Sequence, residues 1–171
     1  HMKLTGKLFS FGISLCIMLS ACSQKCPKDP QNISTNGCGD FFVYDEISDS
    51  SFSNAYITIS VDRKNIALGA EYKTFDIASS PEITSAIEAF NQPYNPYCTD
   101  VLPDTSFIQL NVWTLVSGTV QLKIVRDKND CTSTYVIDCI LINAVYKDAN
   151  NNEIAVSYHH FQNVRVGWYA G

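Results

Sequence analysis

The sequence is poor in positive charge and in histidine. Twelve lysines and arginines face seventeen aspartates and glutamates, a formal charge of −5. Phosphate backbones and anionic headgroups are held by basic faces, so this balance argues against nucleic acid and against a polybasic attachment to lipid. Histidine occurs three times. His1 stands before Met2 and reads as a cloning remnant, which leaves the adjacent pair His159 and His160. The chain has no H-E-x-x-H, no C-x-x-C, no G-x-S-x-G and no glycine-rich phosphate loop. The common zinc-protease, thioredoxin, serine-hydrolase and nucleotide-binding arrangements are therefore not indicated. No apolar run reaches the roughly 20 residues that a transmembrane helix needs, and there is no internal repeat or low-complexity run.

What stands at the N-terminus is an export signal in three parts. Lys3 and Lys7 form a basic segment, with no acidic residue before Cys22. Leu8 to Leu19 is largely apolar, and Ser20-Ala21 supplies small residues. Leu19-Ser20-Ala21-Cys22 resembles the lipobox of bacterial lipoproteins, such as the small Gram-negative lipoproteins of the Bacteroides type. That resemblance spans the first 22 residues. It implies that residues 1–21 are a removable signal peptide. It also implies that Cys22 is lipidated on its sulfur and amine, and that the product is a lipid-anchored protein of the cell envelope. Each buried CH₂ of such chains contributes about 0.8 kcal/mol, so two or more chains anchor stably. By the sorting rule for such lipoproteins, Ser23 in place of aspartate directs the expectation to the outer membrane. The remaining chain resembles no named family.

Loss of Lys3 and Lys7 leaves ten basic residues against seventeen acidic ones, a formal charge of −7. Residues 22–37 are polar with two prolines and read as the lipidated cysteine and a flexible tether. Residues 38–171 read as one domain, long enough to bury a core. Nine tyrosines, nine phenylalanines and two tryptophans, with many valines, isoleucines and threonines, favour β structure.

The expected class is mainly β: an antiparallel β-sandwich of about seven or eight strands with one short helix, or else a flattened barrel. Strands are predicted at 41–44, 55–61, within 66–77, at 107–116, 119–126, 135–146 and 154–166. Ile57, Ile59 and Val61 alternate with polar residues, and Tyr135 to Tyr146 is apolar on both faces, as in a central strand. Ser117-Gly118 reads as a turn. The helix is predicted from Pro81 to Phe90, with Ser80 as cap and Ile83, Ala86, Ile87 and Phe90 at i, i+3, i+4 and i+7.

Five cysteines remain after Cys16 and Cys22, and an exported domain favours disulfides. Residues 131 and 139, if one strand joins them, lie about 26 Å apart at about 3.3 Å per residue. A disulfide needs about 7 Å or less. Cys139 is therefore expected as a buried free thiol. Cys98–Cys131 is the favoured pair, with Cys38 able to join either, and Cys26–Cys38 closing a small entrance loop is the alternative.

The candidate ligand-binding residues are aromatic: Tyr94 and Tyr97 on the long loop, and Trp168 and Tyr169 at the end of the chain. Such rings stack on sugars or apolar peptide side chains. His160 is expected to be half-buried and His159 exposed on opposite faces of one strand, which prevents a shared metal. Asp148, Asn150 and Asn152 have the spacing of a calcium loop. Glu153 stands where that loop needs glycine, and no distal glutamate follows. No metal, no cofactor and no catalytic residue is assigned. The expected function is a non-catalytic binding module for a glycan or for an envelope or host protein. The alternatives are an envelope enzyme with an acidic or histidine site, or a structural subunit of an envelope assembly.

Overall fold

The computed structural model describes residues 34–49, 52–127 and 134–167. The fold is mainly β, with eight antiparallel strands: β1 (Gly37–Cys38), β2 (Phe42–Asp49), β3 (Phe52–Val61), β4 (Gly69–Asp76), β5 (Ile83–Phe90), β6 (Gln109–Arg126), β7 (Tyr135–Lys147) and β8 (Glu153–Val166). A 3₁₀ turn, Ile77–Ser79, links β4 to β5. All strands belong to one sheet, in the order β1-β2-β3-β5-β6-β7-β8, with β4 paired to β6. The sheet curls into a half-barrel, nearer the flattened barrel than two separate sheets. Its first described residues meet its last strand. Ser34 bridges Val164 in parallel, and Arg165 N–H donates to the Ser34 carbonyl at 2.9 Å.

The predicted helix is a strand. Along β5 the buried side chains are Ile83, Ser85, Ile87 and Ala89, a period of two. The helical spacing of Ile83, Ile87 and Phe90 arises because Phe90 packs on the opposite face, among Tyr44 and Tyr56. Backbone pairing decides the matter: β5 sits between β3 and β6 and pairs with both. A helix there would leave both neighbours' hydrogen-bonding groups exposed. Pro81, which has no N–H to give, precedes the strand.

The predicted turn at Ser117-Gly118 is a bend inside one 18-residue strand. Buried positions on β6 run Trp113 and Leu115, then Val120, Leu122 and Ile124, so parity changes across the bend. Register shifts at Ser117 absorb the change. Gly118 takes φ of 132°, and a Cβ there would lie 2.8 Å from the Ala144 Cα. Asn143, with φ of 50°, marks the same change on β7. Asparagine tolerates that left-handed geometry better than most residues.

The curled sheet encloses a core that includes Ile57, Ile59, Ile87, Val120, Ile137, Leu141 and Phe161. Tyr146 is fully buried there, and its hydroxyl meets Ser85 Oγ at 2.8 Å. Cys139 is buried and unbonded, as expected, and burial pushes its thiol pKa up.

Candidate binding surface

The long segment between β5 and β6 does not lie free. Tyr97 packs against Phe42, Tyr44 and Tyr56 at centroid distances of 5.3, 5.2 and 5.6 Å. Phe107 stacks on Phe90 at 4.7 Å, and Tyr94 meets Phe107 edge-on at 5.0 Å. Cys98 is bonded to Cys38, with their Cα atoms 5.6 Å apart. This is one of the pairings open to Cys38; it overturns the Cys98–Cys131 preference and the Cys26–Cys38 alternative. The loop folds back over the outer face of β2 and β3, which brings Cys98 to the β1–β2 hairpin. Tyr94 and Tyr97 therefore fasten the loop to the sheet. The Tyr94 hydroxyl donates to the Val101 carbonyl at 2.7 Å. The Tyr97 hydroxyl is buried with no hydrogen-bond partner among the described residues. Burial, then the nearby Glu88 carboxylate, pushes its pKa up. Cys22, Cys26, Cys131, Trp168 and Tyr169 lie outside the described residues.

A second cluster draws one side chain from each of four neighbouring strands: Tyr72 (β4), Lys123 (β6), Asp138 (β7) and His160 (β8). Lys123 and Asp138 are direct cross-strand partners. Asp138 faces away from Ile137 and Cys139, yet it is buried because its neighbours close over it. Its Oδ1 accepts the Tyr72 hydroxyl at 2.6 Å and lies 2.7 Å from His160 Nε2. Lys123 Nζ lies 3.7 Å from Oδ2 and 4.8 Å from the Tyr72 ring centroid. Burial alone would raise the Asp138 pKa. The hydrogen bonds from Tyr72 and His160 and the Lys123 charge outweigh it, and the carboxyl sits below its ordinary value. The Tyr72 pKa is pushed up to about 12, first by its bond to Asp138 and then by burial.

Two aromatic side chains rim this row. Tyr158, 59 % exposed, lies 6.3 Å from the His160 ring, and Tyr72 is 42 % exposed. The arrangement gives hydrogen-bonding groups between accessible tyrosines on an open sheet face. That geometry suits a ligand with both hydroxyl groups and apolar C–H faces. Nothing in the sequence patterning singled out Tyr72, Lys123 or Tyr158. Asp138 did carry a signal: it is the one charged residue within the apolar run Tyr135 to Tyr146.

The other sequence candidates have structural partners. His159 is less exposed than its parity implied, because the buried positions of β8 change from even to odd before Phe161. Its ring meets Phe161 at 4.6 Å, and its Nε2 lies 3.4 Å from Asp45 Oδ2 without hydrogen-bond geometry. Asp148 Oδ1 accepts the N–H groups of Asn150 and Asn152, both at 2.8 Å, and Oδ2 accepts the Asn152 amide at 2.8 Å. The Asn152 side-chain bond chiefly holds the Asp148 carboxyl below its ordinary range. The calcium-like spacing thus builds a self-locked turn. Just after β6, Asp127 accepts from Arg165 at 3.2 Å. No group of three or more metal-ligating side chains occurs among the described residues. A hollow of about 470 Å³ opens elsewhere, lined by both signs of charge, including Asp62, Arg63, Lys64 and Glu82.

No protein-family model, curated protein or solved structure matches this chain.

Proposed function

We propose that this chain is an outer-membrane lipoprotein of the cell envelope, anchored through lipid on Cys22, whose β domain binds a glycan without catalysis. The lipobox-like stretch supports the anchor. The observation that carries the binding reading is the pair of exposed tyrosines, Tyr72 and Tyr158, flanking the Lys123–Asp138–His160 row. Sugars offer hydroxyls to such polar groups and C–H faces to such rings. No cofactor enters this reading, and the acidic domain favours a neutral ligand over a polyanion.

The test is a calorimetric titration of the purified protein with neutral oligosaccharides from the host envelope. Tyr158→Ala should abolish the heat of binding while leaving the unfolding free energy within about 0.5 kcal/mol of the parent, as surface substitutions usually do. Equal binding by parent and variant refutes the patch. Mass spectrometry of membrane-extracted protein should find Cys22 acylated and residues 1–21 absent; an intact, unmodified N-terminus refutes the anchor.

The 2.7 Å contact between His160 and Asp138 favours a second reading, an envelope enzyme with this pair as acid and base. Against it, the described partners of the pair are Tyr72 and Lys123 and include no Ser or Cys nucleophile. Hydrolysis of an envelope substrate that His160→Ala abolishes would establish it.

A further inference from the structure

Four large apolar side chains stand in solvent within ten residues. Val101 and Leu102 are 64 % and 89 % exposed, and Ile108 and Leu110 follow at 56 % and 63 %. The segment that carries them is fastened. The Cys38–Cys98 disulfide precedes it, and the Tyr94 hydroxyl holds the Val101 carbonyl. The Asn91 side chain donates to Ser106 O at 2.7 Å and accepts Ile108 N–H at 2.9 Å. These bonds hold the segment while its aliphatic side chains stay in solvent, and exposed apolar surface of this kind marks a contact site.

We infer that Val101 and Leu102, with Ile108 and Leu110 at the base of the same loop, dock the domain onto the zwitterionic lipid leaflet that holds Cys22. This rests on the lipoprotein reading above. The chain enters the sheet at Ser34, beside Val164 of β8, and the lipid on Cys22 lies within covalent reach of this loop. The chain runs on to Cys38, which is bonded to Cys98, three residues before Val101. Twelve peptide steps separate Cys22 from Ser34, a reach of at most about 40 Å. Charge selects the leaflet. Asp100 and Asp104 flank the tip, and residues 91–108 contain no lysine or arginine. Asp104 accepts the Ser106 N–H at 3.1 Å and the Thr105 hydroxyl at 3.2 Å, bonds that favour its ionised form. Anionic lipid would repel this tip.

The experiment uses the mature lipoprotein carrying Leu102→Trp, extracted from its host and reconstituted into phosphatidylcholine vesicles with brominated acyl chains. Emission of the parent, which keeps Trp113 and Trp168, is subtracted. Tyr158→Trp, on the outer face of β8, is the control. Both proteins should float with the vesicles. Emission at position 102 should shift to the blue and lose about half its intensity or more, since interfacial side chains sit about 5–10 Å into the headgroup boundary. Emission at position 158 should not change, and added phosphatidylglycerol should weaken the quenching at 102. Flotation without quenching at 102, the result for a tip reserved for a protein partner, overturns the docking and leaves the lipid anchor standing. Failure to float overturns both. Equal quenching at 102 and 158 overturns the orientation.

Discussion

Replacing Tyr97 by phenylalanine should stabilise this protein. Tyr97 fills the centre of an aromatic cluster, with three ring neighbours between 5.2 and 5.6 Å. Its hydroxyl is buried and has no partner in hydrogen-bond geometry among the described residues, although the Glu88 carboxylate lies near enough to raise its pKa. Taking a hydroxyl out of water without a replacement bond costs about 1–3 kcal/mol. Tyr97→Phe keeps the ring and its contacts and removes only that oxygen. The expected gain is about 1 kcal/mol, which for a domain of this size raises Tm by about 2–4 °C. Tyr97→Ala removes the ring as well and should destabilise by about 3–5 kcal/mol, as large aromatic truncations do. Urea unfolding without reductant, followed by far-UV circular dichroism, measures both variants. The midpoint for Phe should move up with an unchanged slope, because the surface exposed on unfolding is nearly the same. A loss of about 1 kcal/mol or more in the Phe variant would refute the reasoning, since it would mean the hydroxyl is bonded in the folded state.

Three further outcomes follow from the geometry. Cys38→Ser, or reduction of the parent, should cost about 4 kcal/mol on the chain-entropy account of a cross-link, given 60 residues of separation; an unmoved unfolding midpoint would contradict it. Gly118→Ala should destabilise by about 2 kcal/mol or more through steric strain in a left-handed backbone, since the new Cβ meets Ala144 at 2.8 Å; a thermal melt matching the parent would count against the bend. The Tyr72–Asp138 bond should add stability with two pH limits. Asp138 has a lowered folded pKa, so its share is present above its unfolded pKa of 3.8 and is lost as pH falls through the folded one. Tyr72 has a raised one, so its share is full below pH 10 and lost as pH rises toward about 12. Tyr72→Phe should lessen the alkaline loss, the remainder coming from the buried Tyr97, Tyr146 and Cys139, whose pKa values are also raised; an identical alkaline profile in parent and variant would sink the assignment.

Strand class was legible wherever alternation met β-branched residues, as at Ile57, Ile59 and Val61, because a half-buried strand writes its period into the chain. Cys139 was legible for the same reason, as a small thiol in an apolar central strand. Two positions misled. Ile83, Ala86, Ile87 and Phe90 satisfy a helical spacing only because both faces of β5 are covered, one by the core and one by the aromatic loop. Ser117-Gly118 has turn residues, but they bend a single strand whose two halves pair with different neighbours. Local preference is similar for a bend and for a turn; long-range pairing separates them.

The sequence by itself determined the mainly β class, the buried thiol and the expectation of a lipid anchor, because each depends on composition or on residues close along the chain. Tertiary structure decided which cysteine meets Cys98, since that pairing spans 60 residues and follows from how the loop folds over β2. It also decided the candidate site. Tyr72, Lys123, Asp138 and His160 come from four strands, and only the sheet order makes them neighbours. Sheet register, set by hydrogen bonds between distant segments, leaves no trace in the spacing of those four residues.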